Sequence, residues 1–258
     1  MSEPRLKDKV ILLTGIAGGM GRVTARLFAQ HGAIVVGTDL HLEGAKETQR
    51  LVESDGYRMD IAAPVDLADR EQVTAWINGA VERHGRIDVL YNNASSPKFA
   101  PFDVMTDEDF RFTMVNEFDI VWIASQVAWP HLAASKGAIV NIGSVAALLG
   151  VRSLPETAHS ATKGAVIAFT KQLAAEGVAL GIRANCICPG VTGTPPVAAM
   201  YDELGENSPV QSIVERTITG KPGDPLAVAY AGLYLSSDES SWVTGSTLIV
   251  DGGASAII

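Results

Sequence analysis

Two sets of residues in the chain combine types and spacings that could do chemistry. The first is Thr14-Gly15-Ile16-Ala17-Gly18-Gly19-Met20-Gly21, followed by Asp39. Glycines allow a tight turn and let the backbone approach a ligand closely. Where such a turn opens a helix, unpaired amides and the positive end of the helix dipole attract a diphosphate. An acid eighteen residues after Gly21 can accept hydrogen bonds from the adenosine ribose, and it would repel a 2′-phosphate. Neither Gly18 nor Leu40 supplies the basic side chain that such a phosphate requires. This set reads as a site for NAD in preference to NADP. The second set is His159 and Lys163, in Ala158-His159-Ser160-Ala161-Thr162-Lys163. Side chains four apart on a helix face the same way. An imidazole, with an unperturbed pKa of ~6.5, exchanges protons near neutrality without assistance. Hydride transfer between a nicotinamide and a carbinol carbon needs a group of that kind at the oxygen.

These residues need elements to position them, and the hydrophobic pattern supplies an alternation. Short β-branched runs begin at Lys9, Ala33, Ala62, Ile87, Gly137, Ile182 and Ser246. Their continuous hydrophobicity is that of strands covered on both faces. Helical spacing is predicted over Gly21 to His31, Arg70 to His84, about Asp107 to Ala134 and about His159 to Gly177. The glycine turn falls at the end of the first run and Asp39 at the end of the second. The pattern predicts an α/β fold: a single Rossmann-type, doubly wound parallel sheet of about seven strands with helices on both faces. One domain over residues 1–258 is expected. The stretch 190–222, rich in Pro, Gly, Thr and Ser, reads as a loop-like mobile lid over the ligand.

Composition narrows the partners. The 258 residues are 47% hydrophobic and 19% charged, enough for a large core, and the net charge is −9. An acidic chain is not built to bind nucleic acid or an anionic membrane. No apolar segment approaches the ~20 residues of a membrane span, and the polar opening Met1 to Lys9 does not resemble a secretory leader. Cys186 and Cys188 flank one residue of a predicted strand and would share a face. Without further ligands they do not make a zinc site. They are read as reduced packing residues of a cytoplasmic protein, and no metal site is predicted.

The motifs resemble those of the short-chain dehydrogenase/reductase family. Gly15, Gly19 and Gly21 match its glycine motif, with Met20 inside the turn. Asp66, followed by Leu67, resembles the acid that meets adenine, and Asn92-Asn93-Ala94 resembles the family's Asn-Asn-Ala-Gly. Pro189-Gly190 through Thr194 is similar to the segment over the nicotinamide, and Ile249 to Gly253 to the C-terminal strand signature. The resemblance runs from about residue 8 to 253. It implies a cofactor site of Gly15, Gly19, Met20, Gly21, Asp39, Asp66, Leu67, Asn93, Lys163, Pro189, Gly190 and Thr194. It also implies catalytic roles for Asn116 (water relay), Ser144 (substrate oxygen) and Lys163 (nicotinamide ribose). It implies a homotetramer built through long helices and the last strand, and the apolar tail Ala254 to Ile258 fits a buried C-terminus.

Two positions depart from the family pattern. His159 stands where the resemblance calls for a Tyr, and Ser95 where it calls for a Gly. The interval from Ser144 to His159 is also extended, through Arg152 to Pro155. An imidazole reaches less far than a phenol, so a bridging water or a deeper substrate must close the gap. Lys163 beside a protonated imidazole is unfavourable and favours a neutral base. Three activities stay open at this level. One is NAD-dependent interconversion of a secondary alcohol and a ketone with His159 as acid/base. The others are an NAD-binding pseudoenzyme and a base-assisted elimination or isomerisation. The substrate is expected to be small, neutral and mostly apolar, held by Val191, Pro195, Pro196, Val197, Met200 and Tyr201 with Ser95, Pro97, Phe99 and Leu149.

Overall fold

Seven parallel strands make one sheet, in the order β3-β2-β1-β4-β5-β6-β7. They are β1 (Val10–Thr14), β2 (Ile34–Thr38), β3 (Met59–Ala62), β4 (Val89–Asn92), β5 (Ala138–Ile142), β6 (Arg183–Pro189) and β7 (Thr247–Val250). The computed structural model describes residues 4–257, so Ile258 of the expected buried tail lies outside them. Of that tail, Ala254 is buried and Ile257 is half exposed.

The continuous apolar runs have the predicted cause. In β1, Val10 and Leu12 face one layer of core while Ile11 and Leu13 face another. Helices α1 (Gly19–Gln30), α2 (Leu42–Ser54) and α9 (Pro225–Ser236) cover one side. Helices α3 (Arg70–His84), α5 (Ile120–Ser135) and α6 (Thr157–Gly177) cover the other. Cys186 and Cys188 are both buried free thiols in the second layer, as packing residues should be. No helix among the described residues is long and apolar enough to cross a membrane.

Four expectations about elements need correction. The third strand is Met59–Ala62 and not the run from Ala62, because its ladder with β2 pairs Val35 with Met59 and ends at Thr38 with Ala62. Pro64 follows and has no N–H to extend it. The single long helix from Asp107 is two helices, α4 (Asp107–Met114) and α5, joined by a wide π turn over Val115–Asp119. The stretch 190–222 is not simply a loop, since it holds α7 (Pro195–Leu204) and α8 (Gln211–Val214). Helices α2 and α9 were not anticipated. The amphipathic stripe of α2 is thin, and α9 is apolar nearly all round, which hides its period.

Between β1 and β4 the strand order reverses, and successive crossovers leave on opposite sides of the sheet. That leaves a crevice beyond the carboxyl ends of the strands. The glycine turn lies at the end of β1, and Asn93 directly follows β4.

Candidate active site

The turn after β1 is shaped by close approach. Gly15 has φ +75°, and a Cβ there would lie 2.8 Å from the Ala94 Cα. A Cβ on Gly21 would collide with the Gly15 carbonyl oxygen. Asn93 braces the same turn: its Nδ2 donates to the carbonyls of Thr14 (3.0 Å) and Gly15 (3.1 Å). Asp69 caps α3 by accepting from Glu71 and Gln72, and Asp224 caps α9. Among the described residues no side chain caps α1, and its first turn holds no acid. Its opening amides are therefore left for an anion.

A cleft of about 680 Å³ runs along this turn. Gly15, Met20, Gly21, Asp39, Asp66, Leu67 and Asn93 line it, while Gly19 does not. The Asp39 carboxylate is held in place by the amides of Ala17 (2.8 Å) and His41 (2.9 Å). Arg22, the nearby cation, is already engaged by Thr48 and by the carbonyls of Ala17 and Gly44. These residues fit a dinucleotide: an uncapped helix start, a cradle that side chains would fill, and a fixed acid.

Beside the cleft lies a second cavity of about 260 Å³, whose walls include Ser144, His159, Lys163, Pro189, Gly190 and Thr194. Met20, Asn93 and Ser95 line both spaces. His159 and Lys163 come together on α6 as their spacing requires. Lys163 is buried, and its Nζ donates to the Ile142 carbonyl (3.1 Å). Burial pushes its ammonium down from the ordinary lysine range, while the Glu117 carboxylate counteracts that shift. Ser144 Oγ accepts from the Ala146 amide and forms the start of a short turn after β5.

Asn116 is placed differently from its partners. It lines the nucleotide cleft, with its Nδ2 donating to Phe112 O one turn back (2.9 Å). Its carbonyl accepts from the Ser96 amide (3.4 Å).

The residue that sequence reasoning missed is Glu117. It sits in the π turn, fully buried. His159 Nδ1 lies 2.8 Å from its Oε1 and 3.0 Å from its Oε2. Ser95 Oγ donates to Oε1 (2.6 Å), Thr162 Oγ1 donates to Oε2, and Lys163 Nζ stands 3.9 Å away. Burial alone would raise this carboxyl, but His159, Lys163 and Ser95 outweigh it and hold the group below its ordinary range. The one visible signal is a pair of acids, Glu117 and Asp119, in the largely apolar stretch 114–123. Its inward aim depends on the wide turn, which the sequence pattern does not announce.

The substrate-side lining is also partly different from expectation. Ser95, Val191 and Val197 line the cavity, and Phe99 meets the His159 ring edge-on at 5.8 Å. Pro97, Leu149, Pro195, Pro196, Met200 and Tyr201 do not line it. Val151, Leu154, Val210 and Ile213 stand there instead, because α7 and α8 carry the residues of 190–222 around. The extended interval meets this segment, with Ser153 Oγ donating to Pro209 O (2.8 Å). One acid, Glu156, is also on the wall, and burial raises its carboxyl above the ordinary range.

A parallel doubly wound sheet with a nucleotide cradle and an adjoining chamber holding an imidazole, a lysine and a serine defines a dinucleotide-dependent class of enzyme. Comparison with known proteins agrees. The family model described as Enoyl-(Acyl carrier protein) reductase matches residues 15–255. The (2S)-((R)-hydroxy(phenyl)methyl)succinyl-CoA dehydrogenase subunit BbsD of Thauera aromatica is 35% identical over 97% of this chain and 98% of that protein. The 3-oxoacyl-(acyl-carrier-protein) reductase FabG of Thermotoga maritima is 35% identical over 96% of this chain and 98% of its own. The crystal structure of a dehydrogenase/reductase from Sinorhizobium meliloti 1021 superposes with a TM-score of 0.89 at 32% identity, covering 98% of this chain and 97% of that one. The chain belongs to the short-chain dehydrogenase/reductase family, whose members are oxidoreductases using nicotinamide cofactors.

Proposed function

We propose that the protein is an NAD-dependent oxidoreductase interconverting a secondary alcohol and a ketone, with His159 at the acid/base position that the family gives to Tyr. The observation that carries this reading is the His159 imidazole, anchored through Nδ1 and facing a chamber that shares a wall with the nucleotide cleft. Bound NAD supplies the hydride acceptor or donor. The chain's own residues do the rest. The α1 amides and the turn of Gly15, Gly19, Met20 and Gly21 hold the diphosphate. Asp39 accepts from the adenosine ribose and excludes a 2′-phosphate, while Asp66 and Leu67 bound the adenine end. Lys163 holds the nicotinamide ribose, and Asn93, Pro189, Gly190 and Thr194 enclose the nicotinamide. Ser144 hydrogen-bonds the substrate oxygen, His159 exchanges its proton, and Asn116 supports a water relay.

The same reading makes residues 1–258 one domain, with a lid inside 190–222 that closes over a small, neutral, mostly apolar substrate. It makes the protein a homotetramer. The half-exposed Trp122 on α5 and Ile249 on β7 support that assembly. We place it in the cytoplasm, as two unbridged buried thiols favour.

The test is turnover. Purified protein given NAD and a panel of secondary alcohols should form NADH, and His159→Ala should lower kcat at least tenfold. Calorimetry should show NAD binding more tightly than NADP, and the reverse preference would sink the cofactor assignment. A native protein that binds NAD but oxidises no alcohol and reduces no ketone would sink the reaction.

A further inference from the structure

The two departures from the family pattern, Ser95 and His159, both bond to a single residue that the pattern does not include. Ser95 Oγ and His159 Nδ1 converge on Glu117 from different elements, the segment after β4 and the first turn of α6. Thr162, the neighbour of Lys163 on α6, adds a third donor. We propose that Glu117 is a positioning residue of the acid/base centre. Its carboxylate keeps His159 protonated at Nδ1, leaves Nε2 to exchange the substrate's proton, and balances the imidazolium that forms beside Lys163. The proposal rests on the oxidoreductase reading for the use to which that proton is put.

The tautomer follows from the donors. A carboxylate only accepts hydrogen bonds. Glu117 is held as a carboxylate by the groups around it, so the hydrogen between it and the imidazole belongs to Nδ1. With Nδ1 committed, Nε2 is the remaining ring nitrogen, and a neutral ring offers a lone pair there. The edge contact with Phe99 and the buried carboxylate fix the ring from two sides. The charged and titratable groups facing it are Glu117 from the π turn, Lys163 from its own helix and Glu156 at that helix's start.

Charge explains why an acid accompanies this imidazole. With the ring neutral, Glu117 and Lys163 sum to zero. When the ring takes a proton the cluster carries one positive charge. Without Glu117 the same step would place two positive charges in a nearly water-free site, which is strongly unfavourable. A phenol in that place gains no positive charge and needs no such partner. In oxidation the alcohol O–H breaks and its proton passes to Nε2. The hydrogen on carbon leaves with its electron pair as a hydride, which bound NAD would accept, and the carbonyl forms. Reduction runs the same steps backwards, with the imidazolium giving its proton to the nascent alkoxide.

The experiment uses the full chain with 15N-labelled histidine and no substrate. Long-range imidazole spectra should show His159 as the Nδ1-protonated tautomer, with Nε2 bare at alkaline pH. In Glu117→Gln the ring should no longer be held in one tautomer, because an amide can donate to a ring nitrogen as well as accept from it. Under turnover with NAD, the same variant should lose at least tenfold in kcat. The acidic limb of its oxidation profile should move, because the charge that faces the ring is lost. KM for NAD should hold, because Glu117 does not line the nucleotide cleft, and Glu117→Asp should recover part of the loss. If Glu117→Gln does not fold, the spectra of the native chain decide alone. A native ring protonated at Nε2, or a Glu117→Gln profile with unmoved limbs, overturns the proposal. The correct tautomer in a native protein without alcohol or ketone turnover, lost in Glu117→Gln, upholds the pairing and rejects only the oxidoreductase reading.

Discussion

At the scale of single residues, the wall of the reaction chamber holds an acid out of keeping with its apolar lining. Glu156 is nearly buried, and burial raises its carboxyl above the ordinary range, with His159 pulling weakly the other way. The sign follows directly. The protonated acid suits the fold, so the native state is penalised as pH climbs from the unfolded pKa through the raised one, and the penalty is complete above it. Glu156→Gln keeps the shape and removes that penalty. Its melting temperature should exceed the native value by about 2 °C at pH 8 and match it at pH 4. An equal gain at both values would mean that the carboxyl's charge is not the cause. Much of the site was legible at this scale, since glycines, acids and an i, i+4 pair announce their chemistry by type and spacing. Glu117 was not. Nothing in Val115-Asn116-Glu117-Phe118-Asp119 marks it as the inward acid, and its partners Ser95, His159 and Thr162 arrive from elsewhere in the chain.

At the scale of elements, the turn between β1 and α1 separates glycines that matter sterically from one that does not. A Cβ on Gly21 would run into the Gly15 carbonyl, while one on Gly18 would meet nothing, and Gly18 has ordinary extended backbone at φ −176°. Gly21→Ala should therefore cost about 2 kcal/mol in denaturant melts and weaken NAD binding at least tenfold by calorimetry. Gly18→Ala should leave stability within about 0.5 kcal/mol of native. Strands such as β1, β2 and β5 were readable because both faces are covered and the apolar run is unbroken. Element breaks were harder. The π turn at Val115–Asp119 interrupts an apolar period that looks continuous in sequence, and helices α7 and α8 hide in a stretch whose prolines and glycines suggest coil. Pro195 and Pro196 in fact begin α7, where a missing N–H costs nothing.

At the scale of the whole molecule, the two core layers are separated by the sheet, and each is closed by its own set of helices. The doubly wound class could be read from alternation alone, because a parallel sheet must be covered on both sides. Surface apolar groups were less readable, since spacing does not tell an outward Trp from an inward one. Trp242 is 98% exposed near the last strand, and Trp122 is half exposed on α5. If those surfaces pair copies into a tetramer, sedimentation should give four chains, and Trp122→Glu should yield smaller species without loss of NAD binding. A monomeric native protein would remove that assembly. One further consequence comes from the partition between the two cavities. Met20, Asn93 and Ser95 belong to both, and a Cβ on Gly19 would reach within 3.3 Å of Thr194 at the start of the lid. A molecule filling the larger room would therefore abut the smaller one across these shared residues. If NAD fills the larger room and substrate the smaller, binding should be ordered, with the dinucleotide first in and last out, and product-inhibition kinetics showing random order would remove that consequence.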